Sequence, residues 1–545
     1  MQCRAAHWLA WMTLACAWQA APAATSEGDA RRFLSRASFG PTDASVASLM
    51  ASDRRTWLQA QFAVPASGYG GFVYLSPDSN VGCPTGAAAT CTRDNYTLFP
   101  LQLKFWRNAL TGNDQLRQRV ALALSEILVT SGQQIRQPYA MAAYQRIFLD
   151  HAFGNFRDIL RQVTLSPAMG AYLNMVNNDK PNPARGIEPN ENYAREVLQL
   201  FSIGVWELNS DGSRRLDAAG APIPSYDQAV VEGFAHAFTG WTYPPRPGAG
   251  SAFPNPANFE SPMVAFAAHH DLSAKTLLKG VQLPAGQSAE ADLTAALDNI
   301  FQHPNVGPFI GRQLIQQLVT SNPSPAYVAR VAAAFNGAGT VNGGSGGARG
   351  DMRAVITAVL LDSEAALPAA PSRFGKLREP ILQLAHLFRA LGGRSDGVWL
   401  QAVVSALGEP VFSPATVFGF FQPDFDLPDN PTLDGPAFGI YGANAALTLS
   451  GVMVTALSSS GVAADASVPG STGSRIDLIP WQALAADPAK LINAIDRVLL
   501  AGRMSADLRS TLQSAVLTQP ASNPLGRARA ALFVAVMSPE YLAEH

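Results

Sequence analysis

The sequence predicts a mainly α protein: a large multi-helix globular fold with long ordered loops and at most a few short strands. Three observations lead there. Apolar residues recur at helical spacing in segment after segment, and many segments open on a capping residue. Alternation of period two is nearly absent, with one candidate strand around Phe72–Leu75. Finally, 48% of the 545 residues are hydrophobic and only 15% are charged, a balance that can bury a large core and does not fit a disordered chain.

Taken in order, "NDQLRQRVALALSEILVTSG" sets Leu116, Val120, Leu124, Ile127 and Leu128 on one stripe, with Asn113 and Asp114 as caps and an end near Gly132. "SNPSPAYVARVAAAF" offers Ser324 as cap and Pro325 at the first helical position, where proline's missing N–H costs nothing. "RGDMRAVITAVLLDSEA" starts after a Gly-Asp cap, and "MSADLRSTLQSAVLTQ" repeats the pattern with Ser505. Between the helices, residues 66–95 and 242–265 are rich in Pro, Gly, Ala and Ser. The stretches 336–351 and 458–475 are the most linker-like, and no repeat period points to a solenoid.

The N-terminus has Arg4, an apolar stretch from Trp8 to Trp18, and small residues around Ala21-Pro22-Ala23. This is the layout of a secretory signal peptide over residues 1–23, so the expected location is periplasmic or secreted. The apolar run is too short to span a bilayer, and no later segment supplies 18 uninterrupted apolar residues; no transmembrane segment is expected after cleavage. Cleavage would leave Cys83 and Cys91, which flank a short Pro/Gly/Ala loop and are read as a local disulfide. A net charge of −2 gives no field to recruit nucleic acid.

Candidate chemistry lies in three stretches. In "NENYAREVLQLFSIG" (190–204), Tyr193, Val197, Leu200 and Phe201 share one face, and Glu191, Arg195, Gln199 and Ser202 the other. Leu198 and Ile203 bracket that polar stripe, so the helix reads as largely enclosed with paired charges. Two readings stand: a structural Glu191–Arg195 pair at i,i+4, or Glu191, Arg195 and Glu196 lining a cavity, with a carboxylate as acid or base and Arg195 clamping an anion. In "DQAVVEGFAHAFTGWTY", Glu232 and His236 stand at i,i+4, while Trp241 is either a sugar-stacking platform or core. In "FAAHHDLSAKTLLKG", His269, His270 and Asp271 are consecutive and Lys275 follows; Asp271 is read either as the N-cap of a helix through Lys275 to Leu278 or as part of a pocket with Glu191 and Glu196. Serine-hydrolase, zincin, phosphate-loop and dinucleotide motifs are absent from the sequence. No metal site is expected among these residues, and the cofactor, if any, is left open by the sequence.

"RRFLSRASFGPT", "DQLRQRVALALSEILV", "HAFGNFRDIL", "TLSPAMGAYLN", "AFTGWTY", "HHDLSAK", "GKLREP", "SPATVFGFFQPDF" and the terminal "MSPEYLAEH", with the opening helix, resemble a bacterial family known as domain of unknown function 1800. The resemblance runs from about residue 30 to the end. It implies a single family-length helical unit over 24–545, with the Gly-rich linker 336–350 as the place for any subdivision. It also implies export, and a neighbouring phosphatase/sulfatase-like protein as a partner. Arg195, Glu196, Trp241, Asp271 and Lys275 are the family-typical positions, whereas His236 stands where arginine is more usual.

The functional expectation is a hydrolase or lyase acting on a polysaccharide or cell-envelope polymer. Glu191, Glu196, Asp271 and His270 would carry the chemistry, and Arg195, Trp241 and Lys275 would hold the substrate. The alternative is a non-catalytic binding or assembly partner of the phosphatase/sulfatase-like protein.

Overall fold

In the computed structural model the described residues are 25–246, 248–338, 347–366, 373–427 and 429–544. The expected signal peptide lies outside them, as does most of the Gly-rich linker. Among the described residues there are 24 α-helices and only five two-stranded antiparallel sheets, with helices covering 52% of the chain and strands 7%. The chain is mainly α, and no described helix is long and apolar enough to cross a membrane.

The caps explain many boundaries. Ser324 accepts from the Tyr327 N–H ahead of the Pro325–Phe335 helix, Asp351 from Arg353 and Ala354 ahead of Met352–Leu361, and Ser505 from Leu508 ahead of Ala506–Leu517. The Gln115–Ile127 helix departs from expectation at both ends. Asp114 sits at its N-cap, but its carboxylate accepts from the Ser67 N–H (2.8 Å) and the Gln118 amide (2.9 Å) instead of capping. At the other end the helix stops at Ile127, and the Gly132 N–H bonds the Phe412 carbonyl at 2.9 Å.

Two further expectations are corrected. Residues 72–75 find no partner strand and run as irregular chain. The stretch after Asp271 is not a helix: Asp271 accepts from the Ser273 N–H (2.9 Å) in a local turn, and Lys275–Thr276 then pairs with Gln282–Leu283 as a two-residue ladder.

Cys83 and Cys91 are joined in a disulfide. One contiguous core runs from Ala30 to Tyr541 and includes residues on both sides of the linker. The Gln115–Ile127 helix lies deep within it and is buried on nearly every face, with Gln115, Gln118 and Arg119 enclosed alongside Leu116, Val120 and Leu124. A helix enclosed all round has no solvent face for its charges, so each needs a partner or a purpose.

Candidate active site

The Gln115–Ile127 helix carries Arg119 and Glu126 seven residues apart, two turns along one face. Against this face packs the start of the Pro380–Ala390 helix. Glu379 is its N-cap residue, followed by Pro380, yet the Glu379 side chain caps nothing. The free N–H of Ile381 is taken instead by Glu409 at 2.8 Å. This leaves the Glu379 carboxylate turned toward Glu126, with Glu379 only 1% and Glu409 0% exposed. One oxygen each from Glu126, Glu379 and Glu409 lie within 4.8 Å of one another.

Two cations sit beside the three carboxylates. The Lys376 ammonium is 3.3 Å from Glu379 and donates to the Gln317 carbonyl at 2.7 Å. The Arg119 guanidinium donates to the same carbonyl and lies 4.0 Å from Glu379. Burial, reinforced by the Glu379 charge, pushes the Glu126 carboxyl up to about 8, against the pull of Arg119 and Lys376. Glu409 is raised well above the carboxylate range, first by burial and then by Glu379 and Glu126. The cluster therefore holds protons at neutral pH.

A cavity of about 70 Å³ opens onto Glu126, Glu379 and Lys376 and is lined by Gln313, Gln316 and Gln317 from the Val306–Leu318 helix. Its polar lining is short of partners. Both oxygens of Glu126, Oε1 of Glu379, Nε2 of Gln313, and Oε1 of Gln316 and of Gln317 are buried without a hydrogen bond from the protein. Most buried polar atoms are bonded, so six orphans around one cavity mark a place built to meet something else. A wider groove of about 430 Å³ shares Leu200, Phe309, Gln313, Gln316, Phe418 and Pro423 with this cavity. The groove continues past Trp206, Arg214, Arg312 and Asp424, with the Arg214 guanidinium 5.8 Å over the Trp206 ring.

Most residues singled out from sequence lie elsewhere. Glu191 and Arg195 form the i,i+4 pair at 2.6 Å, partly open to solvent, and Gln228 bridges Glu191 to Glu232. The helix is Asn192–Gln199, with Tyr193, Ala194, Val197 and Leu198 buried. Glu196 is half-buried near Tyr172 and Tyr226, its Oε2 has no partner, and burial raises its pKa. Trp241 is 0% exposed and turns no ring face to solvent.

His270, Asp271 and Lys275 do come together, but around a buried residue the sequence did not single out, Asp292. Lys275 donates to Asp292 (2.7 Å) and to the carbonyls of Asp271 (2.7 Å) and Ser273 (2.8 Å), which uses all three ammonium hydrogens. His270 faces Asp292 through Nε2 (3.0 Å) and the Thr239 carbonyl through Nδ1 (3.0 Å). Asp271 pairs with His236, and together with the Ser273 bonds this draws its carboxyl down to about 2 despite burial. No hydrogen bond or ion pair among the described residues joins this group to Glu191 or Glu196.

Glu126, Glu379 and Glu409 are the group of His, Cys, Asp and Glu side chains among the described residues close enough to share a metal ion. Lys376 and Arg119 already place positive charge there, so a divalent cation would compete with them. The signal that points to these residues was present in the sequence: Arg119 and Glu126 flank the apolar run Val120–Leu124 of one helix, and "GKLREP" packs three charges between a glycine and a proline.

The fold and the site together define a mainly helical protein with a largely buried glutamate centre at the foot of a groove. A family model described as protein of unknown function (DUF1800) matches residues 32–543, and the chain belongs to that family. No curated protein and no solved structure matches the chain.

Proposed function

We propose that the chain is an acid–base enzyme, a hydrolase or lyase that cleaves a polysaccharide or cell-envelope polymer outside the cytoplasm, with its chemistry at Glu126 and Glu379. The carrying observation is the set of buried, unpartnered polar atoms around one cavity, with Glu126 held protonated among them. A neutral carboxylic acid in a buried site can deliver a proton to a leaving-group oxygen, which is worth roughly 10²–10⁴-fold in rate. Glu379, salt-bridged to Lys376, supplies the second carboxylate as base or nucleophile. The glutamine amides suit sugar hydroxyls, and Trp206 lines the adjoining groove with a ring. Export rests on the signal-peptide layout of residues 1–23.

The test is product release, read by mass spectrometry, from a panel of polysaccharides and whole cell walls, with and without a chelator. Folded Glu126→Gln and Glu379→Gln should lose at least about 100-fold in rate, and kcat/KM of the parent should fall as pH rises through about 8. Glu196→Gln and Asp271→Asn should keep most of the activity. Loss in these two but not in Glu126→Gln would move the chemistry to the sequence-derived candidates. No product from any polymer would leave binding or assembly as the role.

A further inference from the structure

A second cavity, of about 290 Å³, lies on the other side of the segment that carries Glu379. Where Glu379 faces the glutamate centre, its neighbour Arg378 lines this cavity with Arg31, Arg32, Arg503 and His386. Its carboxylates are Glu540, already accepting from the Ser505 N–H (3.0 Å) and hydroxyl, and Glu544. The lining therefore carries four arginines against two glutamates, with Arg32 paired to Asp29 beside it.

Arg31 is only 2% exposed. Its Nε and Nη2 bind Glu27 (2.9 and 2.7 Å), and Nη2 also binds Asp43 (2.6 Å), but Nη1 is buried without a partner. Arg378 gives one nitrogen to the Tyr541 carbonyl, stacks over the Tyr541 ring at 5.0 Å, and stands 3.9 Å from Glu544. Oε1 of Glu544 is a buried acceptor without a donor. His386 is held well below the usual histidine range, first by burial and then by Arg378, Arg31 and Arg389, so it adds no charge of its own. A buried guanidinium N–H left over after two carboxylates calls for a further acceptor. The orphan oxygen of Glu544 calls for a donor. The volume is at the lower edge of the roughly 300–1,000 Å³ of small-molecule sites.

We propose that this cavity is a binding site for a monosaccharide-sized hydroxylated anion, whose carboxylate, sulfate or phosphate meets Arg31, Arg378 and Arg503 while a hydroxyl donates to Glu544. The inference stands apart from the reaction at Glu126, because it uses none of the same side chains.

The test is isothermal titration of the purified protein with glucuronate, glucose 6-phosphate, glucose and inorganic phosphate at constant ionic strength, set with chloride. One saturable site is expected for the sugar anions, with glucose silent and phosphate at least about tenfold weaker than glucose 6-phosphate. Folded Arg503→Gln and Arg31→Lys should each weaken the sugar anions by at least about tenfold, while Glu126→Gln leaves them unchanged. Arg31 also neutralises Glu27 and Asp43, so if its variant fails to fold, Arg503→Gln decides. The proposal is overturned if no anion binds above the chloride background, if binding is equal in parent and Arg503→Gln, or if Glu126→Gln abolishes it. The last outcome would place the anion at the glutamate centre.

Discussion

At neutral pH the Glu126 carboxyl keeps its proton, and this affects stability as well as catalysis. In the unfolded chain it titrates near 4.5, in the folded chain near 8. As pH rises between those values, the unfolded state releases a proton that the folded state retains, so this group favours folding less and less until both forms are ionised. Glu126→Gln cannot ionise. Relative to the parent it should be nearly neutral at pH 4.5 and more stable by about 4 kcal/mol at pH 8, a gain bought with activity. Urea denaturation of both proteins across that range checks this: groups remote from Glu126 cancel in the difference, whereas Glu409, raised in part by Glu126, does not. Parallel curves would mean that Glu126 titrates like an exposed glutamate, and would remove the proton donor from the mechanism.

Among the elements, the Gln228–Ala237 helix shows what the sequence could and could not say. Its apolar spacing was legible in Val230, Phe234 and Phe238, of which Phe234 and Phe238 are buried, whereas the cap at Asp227, which accepts from the Val230 N–H, was not singled out. Its neighbour was not, since the Lys275–Thr276 strand is two residues long and owes its place to Lys275 and Asp292 rather than to any pattern of its own. The reason this helix contains Gly233 is likewise three-dimensional. A Cβ at Gly233 would sit 2.0 Å from the Thr276 carbonyl oxygen, so glycine is what lets the helix approach the strand closely enough for His236 to meet Asp271. Alanine is the better helix former by about 1 kcal/mol, yet Gly233→Ala should destabilise by at least about 2 kcal/mol because backbone must shift against backbone. A rise in the urea midpoint would show that the helix can slide away at no cost. The same limit hid the glutamate centre. Glu126 and Glu379 lie in stretches recognised for their resemblance, but burial turns them from ordinary helix charges into a site, and burial depends on what packs across them. Glu196 and Asp271, by contrast, sit in conspicuous local clusters that the fold resolves into separate contacts.

For the whole molecule, the question is whether the Gly-rich stretch 336–350 separates two units. A chain of 545 residues has the length for several domains, but the two sides of this stretch are interleaved. Gly350 donates to the Phe335 carbonyl (2.7 Å), Phe156 to Gly350 (2.9 Å) and Met352 to Gly154 (2.9 Å). Arg497 reaches Glu27 at 2.8 Å, and the terminal Ala543–Glu544 strand pairs with Lys376–Leu377. The glutamate centre itself takes Glu126 from before the stretch and Glu379 and Glu409 from after it, so the three oxygens meet only when both sides are docked. Unfolding should therefore be a single event in which structure and site are lost together. Tryptophan fluorescence and far-ultraviolet circular dichroism should trace coincident urea transitions, and product release should fall with the same midpoint. Two separated transitions would establish a subdivision, and activity lost in the first of them would locate the weaker contact at the interface that aligns Glu126 with Glu379.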